Sequence, residues 1–69
     1  MKLTEKELRT ITIDMQTASD NCIEYEKLGL RKNADYQRAY LHGMIRIANI
    51  LGYCVGTNDR REIELDEMI

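Results

Sequence analysis

The chain has no phenylalanine and no tryptophan, one histidine and two cysteines. Without large apolar rings, 69 residues must form a single domain whose core is built from Leu, Ile, Met, Ala and Tyr. That core is thin for so short a chain. Two cysteines are too few for a disulfide scaffold. Cys22 and Cys54 stand far apart, and a lone histidine completes no metal-ligand spacing. We therefore expect a small buried hydrophobe at Cys22, two free thiols, no metal and no cofactor. A nucleophile–base pair would need Ser19, Cys22, Cys54 or a threonine beside His42, and helical periodicity sets His42 on an outer polar strip. The expectation is a non-enzymatic protein.

Long apolar runs are missing too. The longest uncharged stretch, Ile47 to Asn58, contains two glycines and falls short of the ~20 residues of a membrane span. Met1 to Glu7 lacks the apolar centre of a signal peptide. A cytoplasmic protein with reduced thiols and no membrane partner is expected.

Charge is present but unevenly spread. Residues 1–26 carry net −3, residues 27–49 net +4 and residues 57–69 net −3. Acidic ends around a basic middle suit self-association or a mixed-charge partner better than a broad nucleic-acid surface. The carboxylate pairs Glu5/Glu7, Glu24/Glu26, Glu62/Glu64 and Asp66/Glu67 come with no histidine or glycine-rich loop, and they read as solvated faces.

The sharpest local signal lies at the start. Thr4 and Glu7 have the spacing of a capping box, with Leu3 and Leu8 placed as a hydrophobic staple. Leu8, Ile11, Met15, Ala18, Cys22 and Tyr25 then recur every three or four residues, a helical seam. Thr10 to Met15 also alternates with period two and is β-branched, a strand pattern. The capping box and the longer seam favour helix over residues 5–28. Gly29 fits the left-handed position after the helix, with Leu30 closing a Schellman motif. Asn33 is the expected cap of a second helix over 34–51. The short connection predicts an antiparallel αα-hairpin.

In the second helix Tyr36, Tyr40, Leu41, Met44, Ile45, Ile47, Ala48 and Leu51 fill an arc of about 180°, wider than one packing partner covers. Ala39 and Gly43, beside Ile50, form a small-residue edge, and Leu41 and Ile45 form the other. The pattern leaves open which edge meets the first helix. The fold class expected is all-α in the main, a hairpin assembling into a helical-bundle homo-oligomer. Its candidate interface is Tyr36, Ala39, Tyr40, Leu41, Gly43, Met44, Ile45, Ile47 and Ile50.

Gly52 or Gly56 ends the second helix, and Gly56 to Asp59 is turn chemistry. Glu62 to Asp66 alternates as a strand that can pair with Tyr53 to Val55. The rival for the tail 52–69 is a short third helix capped by Thr57 or Asn58.

Opposite the apolar arc lie Arg38, His42 and Arg46, with Asn49 beside them and Lys32 at the foot. They form a candidate anion- or partner-binding strip, whose plain alternative is pairing with Asp20 and Glu24. The expected function is a small protein–protein interaction module, a regulator or inhibitor of a larger protein such as phages and mobile elements produce. The alternative is an oligomeric anion-binding module that holds a nucleotide or nucleic-acid phosphate on that strip.

Overall fold

The computed structural model describes residues 2–68. Two helices, α1 (Glu5–Lys27) and α2 (Arg31–Ile50), form an antiparallel hairpin. Two strands, β1 (Tyr53–Thr57) and β2 (Ile63–Glu67), follow as an antiparallel ribbon. The molecule is mainly helical, with a hairpin and a β-tail.

α1 starts where the local chemistry places it. The Glu7 amide donates to Thr4 Oγ1 at 3.1 Å, and the Thr4 amide donates to Glu7 Oε1 at 2.8 Å. Both leucines of the staple, Leu3 and Leu8, pack against the core. In the β-branched stretch that resembles a strand, Thr10 and Thr12 turn their hydroxyls onto the helix's own carbonyls, donating to Lys6 O and Leu8 O one turn back, as Thr17 just beyond it does to Ile13 O. α1 ends one residue before Leu28 in a full Schellman motif. The Gly29 amide donates to Glu26 O (3.1 Å), the Leu30 amide donates to Tyr25 O (2.9 Å), and Gly29 has φ +74°.

The start of α2 corrects the expectation. Asn33 does not cap it. The helix begins at Arg31, with Leu30 as the flanking residue and no side-chain cap, and the Ala34 amide already donates to Leu30 O. The tight Gly29 turn returns the chain directly, and Ala34, 1 % exposed, is drawn into the helix interface. A longer connection would have carried it away. At the other end α2 stops before Leu51, and Gly52 (φ +96°) turns the chain into β1. The tail forms the ribbon, and no third helix occurs among the described residues.

Near the connection the helices meet through small residues, Ala18, Cys22 and Ala34. Toward the open end the interior widens around Met15, fully buried, together with Ala48, Tyr53 and Ile63. The ribbon supplies the last two. β1 packs on α2 and β2 on α1, so the tail covers the surface left by the longer first helix. Two long-range bonds fasten it. The Leu3 amide donates to Tyr53 Oη (3.1 Å), and the Ile63 amide donates to Gln16 Oε1 (2.7 Å). The turn between the strands is organised by Asn58, whose Oδ1 accepts from the Arg60 and Glu62 amides, with Arg61 at φ +64°.

The capping box generates a prediction. Thr4→Ala should lower stability by about 0.5–2 kcal/mol in chemical denaturation. The bonds from Thr4 hold the Glu7 carboxyl below its ordinary value of 4.5. A depressed carboxylate stabilises the fold above the unfolded-state value and loses that contribution as pH falls through the folded one. Glu7→Gln should therefore lose less stability than the wild type on acidification from 4.5 downward. An unchanged midpoint for Thr4→Ala would mean that the cap does not hold the helix start.

Candidate interaction surface

The hairpin has two faces. On one, Gln16 holds Ile63 and the ribbon covers the open half; Glu26 and Arg38 also meet on this side. On the other, Tyr40 Oη donates to Asp14 Oδ2 at 2.7 Å, bridging the helices, and this bond raises the Tyr40 hydroxyl above its ordinary value.

The Leu41/Ile45 edge of α2 is the one turned inward. Ala34 and Ala48 are buried, and Leu41 and Ile45 are half-buried against the core. The opposite edge is bare. Tyr36 is 69 % exposed, Ile50 75 %, Ile47 60 % and Tyr40 44 %, with Ala39 and Gly43 exposed among them. A Cβ added at Gly43 would meet nothing within 4 Å. Of the interface residues expected from sequence, Leu41, Ile45 and Met44 thus turn toward the core, and the other six lie on the bare side.

Beside this stripe runs a groove of about 150 Å³ that α1, α2 and the ribbon enclose together, lined by Leu3, Ile11, Met44, Ile47, Leu51 and Leu65. A shallower depression continues from Leu3 and Ile11 to Lys6, Glu7 and Thr10. Ile47 belongs to both stripe and groove, so the two form one apolar surface. The groove depends on Leu3, Leu65 and the ribbon, and no periodicity within α2 could have pointed to it.

The basic strip does not form one cluster. The Arg38 guanidinium pairs with Glu26 and, at 2.9 Å, with Asp35, not with Asp20 or Glu24. It lies in an open polar cleft of about 610 Å³ with Arg31 and Gly29. Lys32 sits on the other side, in a depression shared with Tyr25 and Tyr36. His42, Arg46 and Asn49 stay together, exposed on α2's flank, and Arg46 makes no ion pair among the described residues.

Cys22 is buried beside Glu26, its Sγ donating to Oε1 at 3.5 Å; burial, then that bond, push the thiol upward. Cys54 is exposed on the ribbon. Both thiols are free. No group of three or more potential metal ligands gathers among the described residues, and no helix there is long and apolar enough to cross a membrane. The geometry thus defines a class, a helical hairpin with a folded-back β-ribbon and one bare apolar face. Compared with family models, curated proteins and solved structures, the chain matches none.

Two outcomes test this placement. Gly43→Ala should raise stability by about 0.5–1 kcal/mol, since the site is open and helical, whereas Ile45→Glu should cost about 3 kcal/mol or more by burying a charge. The reverse ranking in urea melts would place the other edge of α2 against α1. A thiol reagent should label Cys54 promptly in the native protein and Cys22 only after unfolding. Equal native rates would contradict the burial of Cys22.

Proposed function

We propose that the chain is a non-enzymatic protein–protein interaction module that docks through the bare face of α2. The observation that carries this reading is the continuous apolar surface formed by Tyr36, Tyr40, Ile47 and Ile50 with the adjoining groove. Scattered single hydrophobes are ordinary on a protein surface; a stripe continuous with a groove is the pattern of a binding site. The tyrosines present an apolar ring with a polar tip, which suits a contact that is buried when bound and wet when free.

The occupant of this face is either a second copy, giving a homo-oligomeric bundle, or a larger protein that the chain regulates or inhibits. Small exposed residues at Ala39 and Gly43 let a helix of either approach closely. The anion-binding alternative draws less support, since Arg38 is engaged by two carboxylates and Lys32 stands apart from His42 and Arg46.

Ile47→Asp tests the reading, because Ile47 projects from α2 without contributing to the buried core. The variant should keep the wild-type circular dichroism while losing self-association in sedimentation, or losing binding of an apolar fluorescent dye if the wild type is a monomer. A wild type that neither associates at about 100 µM nor binds the dye would overturn the proposal, as that concentration exceeds the micromolar dissociation constants of many specific contacts.

A further inference from the structure

The ribbon has two edges, and only one is guarded. Met68 donates to Gly52 O and Asn58 to Glu62 O. With the register Cys54↔Asp66 and Gly56↔Glu64, these are the hydrogen-bonded pairs of the ladder. In an antiparallel pair the intervening residues turn their backbone groups outward. Val55 and Thr57 therefore present N–H and C=O groups at the free edge of β1, with no partner among the described residues. On β2 the corresponding edge is occupied at Ile63 by Gln16, and the strand carries Glu64, Asp66 and Glu67. β1, Tyr-Cys-Val-Gly-Thr, has no charge and no proline. Charge and proline are the usual protection of an exposed edge.

What lies along that edge decides its partner. β2 rests on α1 and β1 on α2, so the free edge of β1 points away from α1, over α2's outer flank on the ribbon face. Round the helix from Ile45, which packs against the core that Tyr53 and Ile63 share with Met15 and Ala48, come Asn49, His42 and Arg46 in turn, all exposed. The five residues of β1 rise about 13 Å, equal to about nine helical residues. The strand therefore runs beside α2 from the level of Leu51 to about that of His42.

We infer that the free edge of β1 takes up an extended acidic segment of another protein as a third strand. The added strand exchanges main-chain hydrogen bonds with Val55 and Thr57, the mode of β-strand addition. Alternate side chains face α2 and meet Arg46 and His42, which favours carboxylates there. Those between them stand beside Cys54 and Gly56, which favours small residues. A second copy fits this edge poorly. Antiparallel β1–β1 pairing about a two-fold axis would set two Arg46 flanks against each other. The edge of β1 itself lies on the ribbon side, while His42 and Arg46 border the docking stripe one turn from Ala39 and Ile50; amide shifts at Val55 and Thr57, as against Tyr40 and Ile47, separate the two sites.

The test uses the intact protein, isotope-labelled, with a short capped peptide of alternating Thr and Glu as probe and its Thr/Lys counterpart as control. The Thr/Glu peptide should bind saturably below about 1 mM, shifting the amide signals of Val55 and Thr57. Arg46→Glu should weaken binding by roughly five- to tenfold, the scale of a reversed exposed ion pair. Thr57→Pro removes an outward N–H without touching the ladder and should abolish binding while the spectrum of α1 is retained. Equal binding of the Thr/Lys peptide, shifts centred on Tyr40 and Ile47, dimerisation through Val55 and Thr57 without peptide, or no saturation by about 1 mM would each overturn the inference.

Discussion

Tyr53 is the side chain on which the rest of the arrangement depends. It is 2 % exposed, shares the core with Met15, Ala48 and Ile63, and accepts from the Leu3 amide. A chain without Phe or Trp has few ways to fill the space between two helices beyond their first close contacts. Here the largest side chain of the core comes from neither helix. It comes from the strand that follows α2 and folds back. One phenol thereby joins the start of α1, the end of α2 and the ribbon. A two-stranded ribbon alone is weak, and a two-helix hairpin built on Ala18, Cys22 and Ala34 buries little apolar area. Each makes the other viable.

That mutual dependence also explains the bare face. The ribbon covers one side of the hairpin and contributes Tyr53 and Ile63 from there. Nothing comparable in the described chain reaches the opposite side, where Tyr36, Tyr40, Ile47 and Ile50 stay open. α2 is apolar on more of its circumference than α1 and the ribbon together can cover. The uncovered remainder carries the docking reading, and the uncovered edge of β1 carries the separate inference of strand addition. Both are sites where the fold leaves satisfiable groups unsatisfied, one set apolar and one hydrogen-bonding.

Electrostatics play a smaller part in stability. The ion pairs Lys2–Glu67, Arg38–Glu26 and Arg38–Asp35 all involve largely exposed side chains, and such pairs are screened by solvent. Their effect is on arrangement. Arg38 is held by Glu26 and Asp35, which leaves Arg46 and His42 as the basic residues of that flank with no carboxylate partner among the described residues.

What the sequence determined by itself was whatever depends on neighbours a few residues apart. The capping box at Thr4 and Glu7 and the Schellman turn at Gly29 are short-range hydrogen-bond and side-chain patterns, legible along the chain. At the end of α2 local chemistry fits Gly52 and Gly56 alike, and the alternation of Glu62 to Asp66 fits a strand while Thr57 or Asn58 could equally cap a third helix, so there the packing of Tyr53 and Ile63 into the core decides. The width of α2's apolar arc was legible too, but not its orientation. A helical projection has no absolute origin, so Ala39/Gly43 and Leu41/Ile45 are equivalent in it, and the burial of Ala34 and Ala48 breaks the tie. Asn33 carried a valid cap signal that lost to the burial of Ala34, a tertiary demand that no local pattern records. The groove beside Ile47, the bond from Leu3 to Tyr53 and the pairing of Arg38 with Glu26 join residues distant in the chain. Only the packed structure could decide them, because the partners of each are chosen by the hairpin's register and by the side on which the ribbon returns.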